Sequence, residues 1–271
     1  MFFRKMIIAV DDSAPSQYAI EVGLIIAQRD GCPVIFAIVL DPAILAQNFG
    51  FSSICEMAEK VAADILAGAM QRAVQAGVEA SSKVLFTDAT KGIIDVALAE
   101  SAGMIVMGTH GRSGIARALT RSIAEEVLRK TKTPLCVIRR PPIGKIYGRF
   151  LVPIADDELG RLACGYAVEL GQSFDSTLLF CTVVDRAAIR SASDFLDEMR
   201  QYATDHGVQS DAVILDGKLP VCQAIQQHAE TQETDVIVMA SHARDGFMRL
   251  VQGSVTEAVI RTSLIPVVVL R

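Results

Sequence analysis

Three glycines, Gly108, Gly111 and Gly114, stand between an apolar run, Met104–Met107, and an amphipathic segment that carries Arg117, Arg121 and Ser122. A small-residue turn between a strand and a helix lets backbone amides and the helix N-terminus converge on one anion. Glycine at the points of approach admits phosphate oxygens to the backbone. The chemistry this spacing suits is the holding of a phosphate. A second group, Asp11-Asp12-Ser13, stops the apolar run Lys5–Val10; these side chains can meet a ligand or simply cap a helix. Between Gly111 and Arg140 the basic residues Arg112, Arg117, Arg121, Arg129, Lys130, Lys132, Arg139 and Arg140 face only Glu125 and Glu126 in sequence, which favours an anion locally. Plainer roles exist for each: tight turns for the glycines, backbone satisfaction for Ser122, a solvated face for the basic residues. His110 has no cysteine or carboxylate at ligand spacing and reads as structural.

These residues need elements to position them, and the sequence supplies the same elements twice. His110, Ser122 and Pro134 recur 132 positions later as His242, Ser254 and Pro266. Each copy reads strand, loop, helix, strand, and self-similarity at so long a period signals two domains of one fold rather than a solenoid. In the first half the pattern predicts strands at Lys5–Val10, Pro33–Leu40, Val78–Phe86, Met104–Met107 and Leu135–Ile138. Helical spacing is expected over 16–29, 54–75 and 93–101 and within the glycine-flanked segment, with a loop over 41–53. The second half repeats the order with strands at Phe150–Ile154, Thr177–Val184, Asp211–Leu215, Val236–Met239 and Val267–Leu270, and helices over 158–172, 193–206 and 220–230. Alternating strands and helices imply parallel sheets covered on both faces and joined by right-handed crossovers. The expected fold class is α/β: two tandem, doubly wound, Rossmann-like domains over 1–140 and 148–271, joined by a proline- and glycine-bearing linker at 141–147. Ligands on such sheets sit at the carboxyl ends of the strands, so Asp11 and the Gly108 loop are expected to share one crevice.

Composition narrows the classes. A chain of 271 residues, 51% hydrophobic, fits two cores better than one. A formal charge of −5 argues against nucleic acid as the partner. No apolar stretch is long enough to cross a bilayer, and Met1–Val10 is too short for a signal sequence, so a soluble, cytoplasmic protein is expected. The six cysteines show no C-x-x-C spacing, which points to reduced core thiols rather than disulfides or zinc.

The run Gly108-x-x-Gly111, nine further residues, then Arg121-Ser122 resembles the ATP-binding motif of the universal stress protein family, G-2x-G-9x-G-S/T. With the Asp after the first strand and the Thr or Ser ahead of Pro before the last, the resemblance covers the chain twice, as in tandem members. It implies a site in the first half that holds ATP or ADP, with Mg²⁺ accompanying the phosphates. Carried over residue by residue, that site comprises Val10, Asp11, Asp12, Val39, Met107, Gly108, His110, Gly111, Arg112, Arg121, Ser122 and Ile123. In relatives the last strand pairs domains, which here implies an intramolecular pseudo-dimer through Leu135–Ile138 and Val267–Leu270 as exposed apolar edges, with further homodimerisation left open. Protein partners are implied but not identified.

Neither half matches the pattern fully. The first has Arg121 where the family has glycine: its β-carbon crowds the phosphate track, while its guanidinium can pair with phosphate oxygens. The second keeps Gly253 and Ser254 but has Ala155 for the Asp and Ala240 and Ala243 for both loop glycines. Two function classes follow: a regulatory protein that binds one adenine nucleotide in its first half, or a nucleotide-free scaffold. Enzymatic activity beyond slow ATP hydrolysis is not expected, because no nucleophile–base pair, metal cluster or Walker A loop is present.

Overall fold

A computed structural model describes residues 1–42, 51–109, 122–141, 146–241 and 255–271. The chain divides into two units, Phe3–Pro141 and Pro142–Arg271.

In the first unit the order is β1 (Met6–Ala9), α1 (Ala14–Asp30), β2 (Val34–Leu40), α2 (Phe51–Gln75), β3 (Ala80–Phe86), α3 (Ala89–Ala99), β4 (Met104–Gly108), α4 (Ile123–Lys130) and β5 (Leu135–Ile138). The strands lie β3-β2-β1-β4-β5, every described pairing parallel. The chain leaves β1 towards β2 on one side and reaches β4 on the other, so the strand order reverses at β1, the place where such sheets take ligands. Ile8 lies beside Phe36 and Val106 in register. A β-carbon at Gly23 of α1 would meet Ile8 and Val106, whereas one at Gly92 of α3 would meet Val39, three residues on from Phe36. Odd spacing along a strand changes face, so α1 and α3 cover opposite faces. Met6, Ile7, Ile8, Met104, Ile105 and Val106 are fully buried between them, each contributing roughly 1.5–3 kcal/mol on burial.

The second unit runs β6 (Arg149–Pro153), α5 (Glu158–Phe174), β7 (Thr177–Val184), a 3-10 turn (Arg186–Ala188), α6 (Ile189–Asp205), β8 (Ser210–Asp216), α7 (Val221–Thr231), β9 (Val236–Ala240), α8 (Val255–Thr262) and β10 (Val267–Leu270). Its order is β10-β9-β6-β7-β8, again with parallel pairings. Met6 lies opposite Met104 and Phe150 opposite Val236. The registers therefore match, and Asp11, Asp12, Ser13 and Ser16 correspond to Ala155, Asp156, Asp157 and Gly160, each 144 positions on.

Several expectations are refined. α3 starts four residues earlier than helical spacing alone suggested, because the Asp88 side chain caps it by accepting from the Lys91 amide at 2.8 Å. The last strands do end the order in their own units, but their side chains are not exposed: Leu135–Ile138 and Val267–Leu270 are all buried. α1 packs on β5 and α8 on β10. Buried cysteines outside any disulfide are found as expected at Cys32, Cys136, Cys164 and Cys181. Burial pushes the Cys32 and Cys164 thiols up to about 12 and Cys181 higher still. No helix among the described residues is long and apolar enough to cross a membrane. At the amino end of the first sheet Glu100, just past α3, accepts from Lys5 at 2.6 Å and from Lys83, and the two cations hold its carboxyl at about 2.

Candidate functional site

The crevice of the first unit begins where β1 and β4 run out. Val10 is buried and still in the ladder, its N–H donating to the Ala37 carbonyl at 2.9 Å; the Thr109 N–H likewise donates to Ile138 at 2.8 Å. Asp11 and Asp12 then turn out into solvent. A closed set of hydrogen bonds fixes this turn. The Asp11 N–H donates to Ser16 Oγ (2.9 Å), the Ser16 N–H to Ser13 Oγ (3.3 Å), and the Ser13 N–H to Asp11 Oδ1 (2.9 Å). Ser13 is thereby the N-cap of α1, with Pro15 in the first turn. Asp11 does serve the local turn, through one oxygen of its carboxylate.

Gly108 ends β4 against the start of α1. A β-carbon there would lie 2.4 Å from the Pro15 carbonyl carbon and 2.6 Å from the Ser16 nitrogen. Close helix–strand packing therefore demands this glycine whether or not a phosphate ever arrives. Met107 is buried and Val39 half-buried, the latter touching the space over Gly92. Val10, Asp11, Asp12, Met107 and Gly108 are thus brought together at the carboxyl ends of neighbouring strands, with Val39 on the α3 face.

Ser122 and Ile123 open α4. The Ser122 hydroxyl accepts from the Glu125 amide at 3.2 Å and caps the helix; Ile123 is 43% exposed. α4 packs on α3, and the Thr90 hydroxyl donates to Glu126 Oε2 at 3.1 Å. The charges divide along α4 in a way the basic tally of the sequence does not reveal. Glu125 and Glu126 occupy its first turn, where they offset the positive end of the helix dipole, while Arg129 and Lys130 stand in its last. Arg139 and Arg140, by contrast, leave β5 at the carboxyl end of the sheet. Burial and then the neighbouring Arg140 hold the Arg139 guanidinium below its ordinary value. Four predicted site residues, His110, Gly111, Arg112 and Arg121, lie outside the described residues, as do Gly114, His242, Ala243, Gly253 and Ser254.

The matching turn of the second unit is built differently. The Asp157 side chain caps α5 by accepting from the Gly160 amide at 2.8 Å. The acceptor for the Asp157 N–H, however, is the Ala155 backbone carbonyl, at 2.8 Å. That carbonyl oxygen sits 1.9 Å from where a β-carbon on Gly160 would be. The turn has folded onto the helix, into space that Ser16 fills in the first unit. Asp156 is drawn aside as well, its carboxylate 3.4 Å from Arg161, which also pairs with Glu198 and lies over the Phe195 ring at 5.1 Å. At the end of β9 the Thr256 hydroxyl donates to the Ala240 carbonyl at 3.3 Å and ties the start of α8 to the strand. No group of three or more potential metal ligands occurs among the described residues of either unit.

The residue that sequence reasoning missed is Ser16. Its signal was present, as the third member of Asp11-x-Ser13-x-x-Ser16 ahead of the helix.

The sequence model of the universal stress protein family matches residues 2–139 and again 146–271. A universal stress protein of Methanocaldococcus jannaschii is 27% identical over 142 residues, 51% of this chain and 84% of that protein. One from Mycobacterium tuberculosis is 25% identical over 209 residues, 70% of this chain and 68% of that protein. The crystal structure of a universal stress protein from Archaeoglobus fulgidus superposes with a TM-score of 0.82 at 22% identity, covering 98% of this chain and 96% of that one, a likeness of fold.

Proposed function

The chain belongs to the universal stress protein family, in a form with two copies of the family's domain, and from that premise we propose that it binds one adenine nucleotide, ATP or ADP, in its first unit and acts as a regulator read by partner proteins. The second unit is degenerate as a nucleotide site and serves as a structural partner. The observation that carries this reading is the contrast between the two turns. After β1 the Asp11 N–H is held by the Ser16 hydroxyl, beside Gly108 at the point where strand order reverses; after β6 the space beside Gly160 is filled by the Ala155 carbonyl. The base lies against Val10–Asp12 and Val39, and the phosphates reach from Gly108 towards Gly111 and Ser122. Mg²⁺ arrives with the phosphates rather than in a cage of protein carboxylates. Hydrolysis is slow at most, and the protein works in the cytoplasm.

The test is to denature the purified chain and identify what it releases by mass spectrometry, then to titrate the emptied chain with ATP in a calorimeter. Release of ATP or ADP and a single site per chain are expected; two equivalent sites, or none, overturn the reading. One observation favours the alternative, a nucleotide-free scaffold: the Ser122 hydroxyl already caps α4, and Glu125 and Glu126 share its first turn. The same titration decides between the two.

The two units are also proposed to pair with each other through β5 and β10, as the apolar sequences of these last strands suggest. Fluorescence energy transfer between labels at Arg139 and Arg271 is expected to be efficient, and its absence overturns the pairing. Val268 is fully buried, so Val268→Asp is expected to destabilise the chain by more than about 3 kcal/mol in urea denaturation.

A further inference from the structure

We propose that Ser16 is a positioning residue for nucleotide binding: its β-carbon keeps the residue-11 carbonyl from turning in against α1 and its hydroxyl holds the Asp11 N–H, which fixes the turn in the form that meets a base. This rests on the nucleotide reading of the first unit.

The chain contains its own control. In both units a short turn of equal length connects the first strand to its helix, and in both the residue three before the helical position in question caps the helix through its side chain: Ser13 accepts from the Ser16 amide, Asp157 from the Gly160 amide. What differs is the acceptor offered to the cap residue's own N–H. In the first unit it is a side chain, Asp11 Oδ1 at 2.9 Å. In the second it is a backbone carbonyl, Ala155 at 2.8 Å. A backbone acceptor requires the carbonyl to turn in against the helix, and it does so, to within 1.9 Å of the position of an added β-carbon at Gly160. No carbon can share that space with a carbonyl oxygen, since contacts under about 3 Å are repulsive. With any residue larger than glycine at this place the inward turn is closed off.

Ser16 is 2% exposed and fills this place in the first unit. It acts twice. The β-carbon excludes the residue-11 carbonyl from the helix side, and the hydroxyl oxygen takes the Asp11 N–H at 2.9 Å, fixing the rotation of the peptide. Asp11 then has to supply the acceptor for Ser13 from its carboxylate, which a shorter side chain at that position cannot do. Asp11 and Ser16 are therefore one device, and the second unit has neither member, with Ala155 and Gly160 in their places.

The experiment uses the full chain and compares Ser16→Ala and Ser16→Gly with the unmodified protein. Three probes are titrated: ATP, ADP and inorganic tripolyphosphate. Hydrogen exchange is followed at the Asp11 and Ser13 amides, and thermal melting checks that each variant is folded. Ser16→Ala keeps the wedge and loses the hydroxyl, so a two- to fivefold loss of ATP affinity is expected with faster exchange at Asp11. Ser16→Gly loses both and should weaken ATP and ADP by tenfold or more while leaving tripolyphosphate binding unchanged, because only the base-facing turn is altered. Equal loss for ATP and tripolyphosphate indicates a general structural defect and overturns the proposal. So does undiminished ATP binding by Ser16→Gly. Failure of the unmodified chain to bind ATP at all overturns the nucleotide reading itself. Ser16 then stands or falls on exchange alone: unchanged protection at Asp11 and Ser13 in Ser16→Gly overturns its role in holding the turn.

Discussion

The two units share strand order, register and a side-chain cap on the first helix, yet the turn after the first strand is propped open by a side chain in one and folded shut by its own backbone in the other. The difference comes from very few atoms. Ser16 against Gly160, Asp11 against Ala155 and Gly108 against Ala240 exchange small groups across a single helix–strand contact. In the first unit the strand end gives up its β-carbon so the helix can approach; in the second the helix gives up its own so the turn can. A fold can thus be held constant while the space above its carboxyl edge is redistributed, and family membership alone does not say how each copy fills it.

Exchanging these small residues is the most forceful way to break that contrast. Gly108→Ala and Gly160→Ala each drive a β-carbon into backbone, at 2.4 and 1.9 Å, and should cost about 3 kcal/mol or more in urea denaturation. Ala240→Gly, which removes a carbon where none is demanded, should change stability by less than about 1 kcal/mol. Equal effects at Gly108 and Ala240 would mean the two strand ends are packed alike.

Arg121 is the next lever, since it stands where the family pattern has glycine in the half proposed to bind. Arg121→Gly is expected to leave ATP affinity within about threefold or weaken it, and to reduce its salt dependence, through loss of a charge-assisted contact. A gain of a hundredfold measured by calorimetry would show that the first site is blocked in the native chain and that neither unit uses nucleotide.

A subtler contrast lies in the third helix of each unit. His228 of α7 occupies the place of buried Val96 in α3. Among the described residues its Nε2 is buried without a hydrogen-bond partner, and burial holds the imidazole below its ordinary value of 6.5. A depressed histidine takes up its proton more readily unfolded than folded. Stability is therefore expected to fall as pH drops through 6.5 and to level off below the folded value. His228→Val should raise stability by on the order of 1 kcal/mol at pH 5 and by less at pH 8, in paired denaturation curves. A pH-independent effect would contradict this.

The smallest effect is expected at Glu100, on the amino edge of the first unit. Its carboxyl is held at about 2 rather than 4.5, so its contribution is present above pH 4.5 and lost as pH falls towards 2. Glu100→Gln should flatten that part of the acid denaturation curve slightly, because the Lys5 and Lys83 pairs are solvent-screened.

How much of this was legible in the sequence depends on the range of the cause. Strands such as Thr177–Val184 and Val267–Leu270 follow from uninterrupted apolar runs and are found as expected. The early start of α3 was written in Asp88 three residues before Lys91, a local signal passed over in favour of hydrophobic spacing. The second role of Gly108 was not legible, because a glycine between strand and helix looks the same whether it makes room for a phosphate or for Pro15. Only the fold brings residue 108 to residue 15. The polarity of α4 was hidden for a related reason: a tally of basic residues has no direction, and the helix sends Arg129 and Lys130 away from the edge where Ser122 begins.

The carbonyl of Ala155 makes the two replacements at this turn depend on each other. Placing an aspartate at 155 would not open the second turn, since the space beside Gly160 would still welcome the backbone. Replacing Gly160 first would force a carbon into an occupied carbonyl and penalise the intermediate. Either change alone is of little use or harmful, so opening the second turn takes both replacements together, and the two positions are expected to be strongly non-additive.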